Sequence, residues 1–149
     1  MEHRLKLSKS STTEPVNATE YRGLVSCLWY LVHTRPDITF VVGYVSHFME
    51  HPTVEHLNAV KRILRYITGT IDYGCHYKPG SKNLKLLGYN DADMGGDVDT
   101  RKSTTGVLFF YSSYPVTWQS QKQKVVALSS YEAEYIAGTT AAYQGAWLA

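Results

Sequence analysis

"GYNDADMGG", residues 88–96, ends an apolar run on two aspartates one residue apart, then two glycines. Asp91 and Asp93 read either as a polar turn, since Asp and Gly are common turn formers, or as part of a metal site. A calcium loop starting at Asp91 is excluded. Its position 5 would be Gly95 and its position 12 Lys102, where such a loop needs an oxygen ligand and a bidentate glutamate. The preceding LKLLGY has strand character, and on a strand Leu87, Tyr89 and Asp91 share one face. An acid at a strand end, with Glu132 and Glu134 on a later helix, suits phosphodiester hydrolysis at two cations about 3.5–4 Å apart.

The hydrophobic period differs on the two sides of Gly69. Residues 1–16 read as a polar tail ending at Pro15. Asn17 and Glu20 have the spacing of a helix cap and its reciprocal acid, and Tyr21, Leu24, Val25, Leu28, Leu31 and Val32 follow at helical spacing. Pro36 opens a second helix with Ile38, Val41, Val42, Val45, Phe48 and Met49. Pro52 breaks it. Thr53 caps a third, with Val54, Leu57, Val60, Leu64 and Ile67 inward and Gly69 just past its end. Beyond Gly69 the pattern turns to strands: YGCHY, a KPGSKN turn, LKLLGY, TTGVLFFY, PVTWQS and KVVAL. At Ser129 the sequence SSYE, with Glu132 three residues on, is a capping box that opens a last helix. The expected segments are 1–16, 17–69 and 70–149, in an α+β protein.

A chain of 149 residues suits one domain or two small ones. With 44% hydrophobic and 19% charged residues it has enough apolar material for a core. A net charge of +2 points to no particular partner. Cys27 and Cys75 make no disulfide framework. No apolar run is long enough for a membrane span, and the first 20 residues contain no signal-peptide core. His47, His51 and His56 flank the Pro52 break, which scatters them, so they read as surface histidines rather than zinc ligands. Ser129-Ser130 lies in no nucleophile elbow.

The ordered set GYNDADMGG, RKSTTG, WQSQKQ and VALSSYEAEYIAG resembles the ribonuclease H domain of copia-type retrotransposon polyproteins. The upstream EYRGLVSCLWYLVHTRPDITFVVGYVSHFMEHPTVEHLNAVKRILRYITGTIDYG resembles the end of their reverse transcriptase. The resemblance runs from about Leu5 to Leu148. It implies a three-helix thumb-like segment followed by a partial ribonuclease H-like mixed sheet with its first helix. It further implies that Asp91 and Glu134, the latter in Ala133-Glu134-Tyr135, are two of the carboxylates that hold magnesium in the intact family. The family's third acid lies in a D-N-x-S-A stretch, expected beyond Ala149, and its polymerase acids in an upstream Y-x-D-D. Neither string occurs here, and Met94 stands where the family usually has tryptophan. The resemblance therefore implies a catalytically incomplete fragment, not an enzyme by itself, with no cofactor of its own. Its partners would be an RNA–DNA hybrid or the rest of the polyprotein, in the cytoplasm or nucleus.

Lys61, Arg62 and Arg65 on the third helix read as a solvated face that suits the helix dipole, or as phosphate contacts. Arg101 and Lys102, with Lys122 and Lys124, could extend the same basic track. Arg62-Ile63-Leu64-Arg65 is also an R-x-L-R string and resembles the motif of effectors that oomycete pathogens secrete into plants. That resemblance implies a different function: secretion, then binding of a host plant protein in host cytoplasm or nucleus, with no membrane partner. The helical period places Leu64 on the core face.

Overall fold

The computed structural model describes residues 6–78 and 85–149. It shows an α+β protein with four α-helices and a three-stranded sheet, divided into two compact units, Met1–Gly74 and Cys75–Ala149.

The first unit is helical. Helix α1 spans Ala18–Val32, and Asn17 caps it by accepting from the backbone N–H groups of Thr19 (2.9 Å) and Glu20 (3.3 Å). A single 3₁₀ turn, Pro36–Ile38, leads into α2, Thr39–Ser46; α3 spans Val54–Gly69, with Gly69 inside the helix and Thr70 as its C-cap. The core is Tyr21, Val25, Leu28 and Val32 of α1 against Ile38, Val42, Val45 and Phe48, closed by Ala59, Val60 and Ile63 of α3. Burial raises the Tyr21 phenol well above its ordinary range, and its hydroxyl donates to the Val45 carbonyl at 2.8 Å.

The third helix turns differently from its apolar spacing. Its buried stripe is His56, Ala59, Val60 and Ile63, whereas Val54 is exposed and Leu57, Leu64 and Ile67 are only partly covered. His56 causes the shift. Expected at the surface, it is fully buried and stacks on Phe48 with ring centroids 4.0 Å apart. Its Nδ1 accepts from the Thr53 backbone N–H at 3.0 Å, the role Glu or Gln usually fills in a capping box. Its Nε2 lies 3.2 Å from the Ser8 carbonyl.

Residues 6–16 lie along these helices. Leu7 is buried, and its backbone bonds the Tyr44 hydroxyl. Pro15 bridges to Thr53, while Val54 and Val16 donate to the carbonyls of Glu14 and Pro52 at 3.0 Å each. A sequence of mostly polar side chains is thus held mainly through its backbone groups.

Arg35, 7% exposed, closes the far end of the helical unit. It donates twice to the Asp37 carboxylate (2.9 and 2.8 Å) and to the carbonyl and hydroxyl of Thr70 (3.0 and 2.8 Å). Tyr66 donates to the same carboxylate at 3.0 Å. The Arg35 guanidinium holds the Asp37 carboxyl below the usual carboxylate range, with Tyr66 adding to the effect. The folded pKa lies below the unfolded value, so this stabilisation is present above about pH 4 and is lost as pH falls through the depressed folded pKa. Wild-type helicity should therefore fall with acid in that window, and Asp37→Asn should remove this part of the pH dependence. An unchanged acid profile for Asp37→Asn, followed by circular dichroism, would refute the linkage.

The second unit is a sheet covered by one helix. Strands β1 (Leu86–Ala92), β2 (Thr104–Tyr111) and β3 (Tyr114–Lys122) form a three-stranded sheet in that order, antiparallel throughout; the expected mixed sheet is not what its described strands form. Two further expected strands are absent from it. At 73–77 no backbone ladder forms; the segment is tied to β3 by hydroxyls instead, Tyr77 donating to the Pro115 carbonyl (2.8 Å) and Tyr114 to that of Lys78 (3.0 Å). At 124–128 the chain is an irregular joint, bent at both ends, that leads into the last helix, with Ala127 buried and Val125, Val126 and Leu128 exposed. The KPGSKN turn, apart from Lys78, lies outside the described residues.

Candidate functional site

The opening aspartates divide by role. Asp93 accepts from the Thr104 backbone N–H at 2.6 Å, and its carboxylate fills the space beside Gly96 where a side chain would sit. Asp97, largely buried, accepts from the backbone N–H groups of Asp99 and Thr100 at 2.9 Å each and pairs with Lys122. Gly95 adopts φ +59°, which favours glycine, and its N–H donates to the Ser103 hydroxyl at 3.1 Å. These bonds fold residues 93–103 into a compact excursion between β1 and β2 and occupy Asp93 and Asp97 with backbone amides. Asp91 is left as the exposed acid at the end of β1, opposite Gly106.

Helix α4, Ser130–Leu148, carries the second acid. Ser129 accepts from the Glu132 N–H at 3.2 Å, and the Glu132 carboxylate accepts from the Leu128 N–H at 2.7 Å, so Glu132 serves the cap. The buried face of α4 is Ala133, Ala137 and Ala141. Small side chains let the helix axis approach the sheet, where Val107 and Phe109 of β2 meet Ala141. Gln123 ties the helix start to the sheet by donating to the Thr105 hydroxyl (3.0 Å) and the Ala133 carbonyl (2.9 Å).

This packing brings Glu134 to the end of β1. Its Oε1 accepts from the Ala92 backbone N–H at 3.3 Å, one residue after Asp91. The contact is to backbone, not to the Asp91 carboxylate. Gly88 meets Phe109, and Gly138 lies beside Asn90, so the even-numbered positions of β1 face α4 and alternation puts Asp91 on the other face. Among the described residues no three His, Cys, Asp or Glu side chains converge on a metal position. Magnesium demands near-octahedral coordination and keeps its waters unless several ligands or phosphates assist. Two carboxylates, one bonded to a backbone amide, do not fit a resident ion by themselves.

Lys61 and Arg65 are exposed on one face of α3, and Arg62 is partly buried beside them. Within the 62–65 string the buried residue is Ile63, 3% exposed, and not Leu64 as expected. Arg101 (exposed, φ +58°) and Lys102 belong to the 93–103 excursion in the other unit. Lys122 is paired with Asp97, while Lys124 is exposed. Among the described residues no helix is long and apolar enough to cross a membrane.

The chain is 48% identical over 141 residues to the Retrovirus-related Pol polyprotein from transposon RE1 of Arabidopsis thaliana, covering 93% of this chain and 10% of that protein. It is 49% identical over 152 residues to the Retrovirus-related Pol polyprotein from transposon TNT 1-94 of Nicotiana tabacum, covering 97% and 11%. It belongs to the copia-type retrovirus-related Pol polyprotein family. The chain spans about a tenth of the length of these Pol polyproteins. It is also 44% identical over 129 residues to Secreted RxLR effector protein 161 of Plasmopara viticola, covering 86% of this chain and 90% of that protein. No protein-family model matches the chain. No solved structure matches it.

Within this Pol polyprotein segment the structure adds residues that the periodicities missed. Arg35 and Asp37 sit in TRPD, whose proline signals only a helix start. Their paired signs two apart hint at an ion pair, but not at Thr70 or Tyr66, more than thirty residues from Arg35 and twenty-nine from Asp37 respectively. Asp97 had no signal beyond its place among glycines and threonines.

Proposed function

We propose that residues 17–69 are the end of a copia-type reverse transcriptase, in a thumb-like segment, and that residues 70–149 are the N-terminal part of its ribonuclease H domain. On this reading Asp91 and Glu134 are two members of a larger carboxylate set, and the 149-residue chain is catalytically incomplete. The observation that carries it is the contact of Glu134 with the backbone at the end of β1, beside Asp91, in a chain 45–49% identical to Pol polyproteins across nearly its whole length. Joined to the rest of the polyprotein, these acids would act on an RNA–DNA hybrid with magnesium, in cytoplasm or nucleus. Exposed Lys61, Arg65 and Arg101, with Arg62 and Lys102, are the groups for phosphate contact.

The purified chain should leave the RNA strand of an RNA–DNA hybrid intact in magnesium or manganese. The assay is gel analysis of a labelled hybrid, with Asp91→Asn as control. Cleavage above background that disappears in Asp91→Asn would overturn the reading.

A second reading is favoured by the match over nine-tenths of Secreted RxLR effector protein 161. Here Arg62, Ile63, Leu64 and Arg65 would be a delivery string, and the chain would be secreted and bind a plant protein in host cytoplasm or nucleus. Ile63 counts against this, since engaging the string as a whole would require drawing a core residue out of the helical unit.

A further inference from the structure

We propose that His56 is an acid-operated latch: when its ring takes up a proton, the N-terminal cap of α3 opens and residues 6–16 are released from the helical unit. The ring is fully buried and lies flat on Phe48. Its neighbours fix its charge and its tautomer. The Thr53 backbone N–H, 3.0 Å from Nδ1, can only donate, so Nδ1 must present a lone pair. The Ser8 carbonyl, 3.2 Å from Nε2, can only accept, so Nε2 must carry the hydrogen. The Thr53 hydroxyl, 3.1 Å from Nδ1, accepts from the His56 backbone N–H in the capping box. This arrangement is built for the neutral ring. A proton on Nδ1 would set N–H against N–H across one hydrogen-bond distance and place a charge where water does not reach.

Relief requires the ring to leave Phe48, and its departure loosens two elements together. The Thr53 N–H loses this acceptor, and the Ser8 carbonyl loses this donor. Thr53 is also the residue that bridges Pro15, and Val54 beside it donates to the Glu14 carbonyl. The cap of α3 and the seat of residues 6–16 therefore share one stretch of backbone. The charged and titratable groups around the ring are Glu55 on α3, Lys9 and Glu14 on the N-terminal segment, and Tyr44, His47, Glu50 and His51 on and after α2. Lys9, Glu14, Glu50, His51 and Glu55 are exposed and act through screening water. His47, half-buried and edge-on to Tyr44, is the other ring on this side that titrates near neutrality. The sign follows from the geometry. The closed arrangement binds the proton less well than the released one, so the latch holds above the ordinary histidine value of about 6.5 and opens as pH falls below it, by about tenfold per pH unit. This window lies above that of Asp37.

The test is nuclear magnetic resonance of the full chain, isotopically labelled, from about pH 7.5 down to about pH 4.5, with circular dichroism in parallel. At the upper end the His56 ring nitrogens should show the neutral Nε2–H form. On acidification the amide signals of Leu7, Ser8 and Val54 should leave their native positions with the same midpoint as His56 protonation, while the helices persist. His56→Gln keeps an acceptor for the Thr53 N–H and cannot titrate, so its signals from residues 6–16 should stay in place to the lower end. His47→Gln should respond to acid as wild type does. If His56→Gln does not fold, the shared midpoint in wild type and in His47→Gln decides. An Nδ1–H ring at neutral pH would overturn the proposal. So would a ring protonated while those amides stay in place, a segment still closed at the lower end, or the same release in folded His56→Gln.

Discussion

Phe109→Ala should destabilise the sheet-and-helix unit by about 3–5 kcal/mol. Phe109 is 4% exposed and is the largest side chain of the cluster that joins β2 to α4. Its ring crosses the space above Gly88 on β1: a Cβ added there would lie 2.5 Å from the ring, and one added at Gly145 of α4 would lie 3.4 Å away. One aromatic ring therefore spans β1, β2 and the C-terminal half of the helix that carries Glu134, and both glycines leave room for it. Gly88→Ala should cost about 1–3 kcal/mol through overpacking, even though alanine suits a strand no worse than glycine. Denaturant unfolding of the full chain, following the transition of this unit, measures both. A Gly88→Ala variant as stable as wild type would mean that Phe109 does not hold the position described, and the placement of α4 would need another explanation.

The second large effect is in the helical unit. Ile63→Ala should cost about 2–5 kcal/mol, as expected for deleting a buried aliphatic side chain. Leu64→Ala should cost less, because Leu64 is only partly covered. Arg65→Ala, on an exposed position, should stay within about 0.5 kcal/mol of wild type. The same positions separate the two functional readings. For a Pol polyprotein fragment, Arg62→Ala and Arg65→Ala should not change where a tagged chain is found. For a delivered effector, these two substitutions should stop a tagged chain, expressed in the pathogen, from reaching plant cytoplasm or nucleus. Arginine-dependent entry, scored by fluorescence during infection, would remove the fragment reading, and absence of secretion would remove the effector reading.

Much of the local structure could be read from neighbours in sequence. Asn17 and Ser129 cap the helices expected of them, and TTGVLFFY is strand β2 from end to end. Pro36 opens the second helical segment, though as a 3₁₀ turn before the α-helix at Thr39, and Pro52 lies in the expected break. These features depend on groups within four residues of each other, or on a period that one buried face imposes. The strands expected at 73–77 and 124–128 failed for a complementary reason. Apolar, β-branched or aromatic residues make a segment fit to be a strand, but a strand exists only where another backbone pairs with it; among the described residues none pairs with 73–77, and a helix cap takes the Leu128 N–H.

The setting in sequence marked Asp91 at a strand end and both Glu132 and Glu134 near the start of a capped helix, and only the family resemblance singled out Glu134. That Asp93 serves the Thr104 amide could not be read there, because that amide lies across a turn whose path depends on Gly95 and Ser103; the Asp97 pairing with Lys122 is likewise distant in sequence. Hydropathy likewise placed α3 but gave it the wrong rotation. It counts His56 as polar, whereas Thr53, Ser8 and Phe48 satisfy both ring nitrogens and cover the ring. Once that histidine is inside, the helix turns so that Ile63 follows it and Leu64 moves to the flank. The amino-acid order determined caps, breaks and periods, which are short-range. Only the tertiary structure decided which polar side chains are buried, because burying one is tolerable only where distant partners supply its hydrogen bonds.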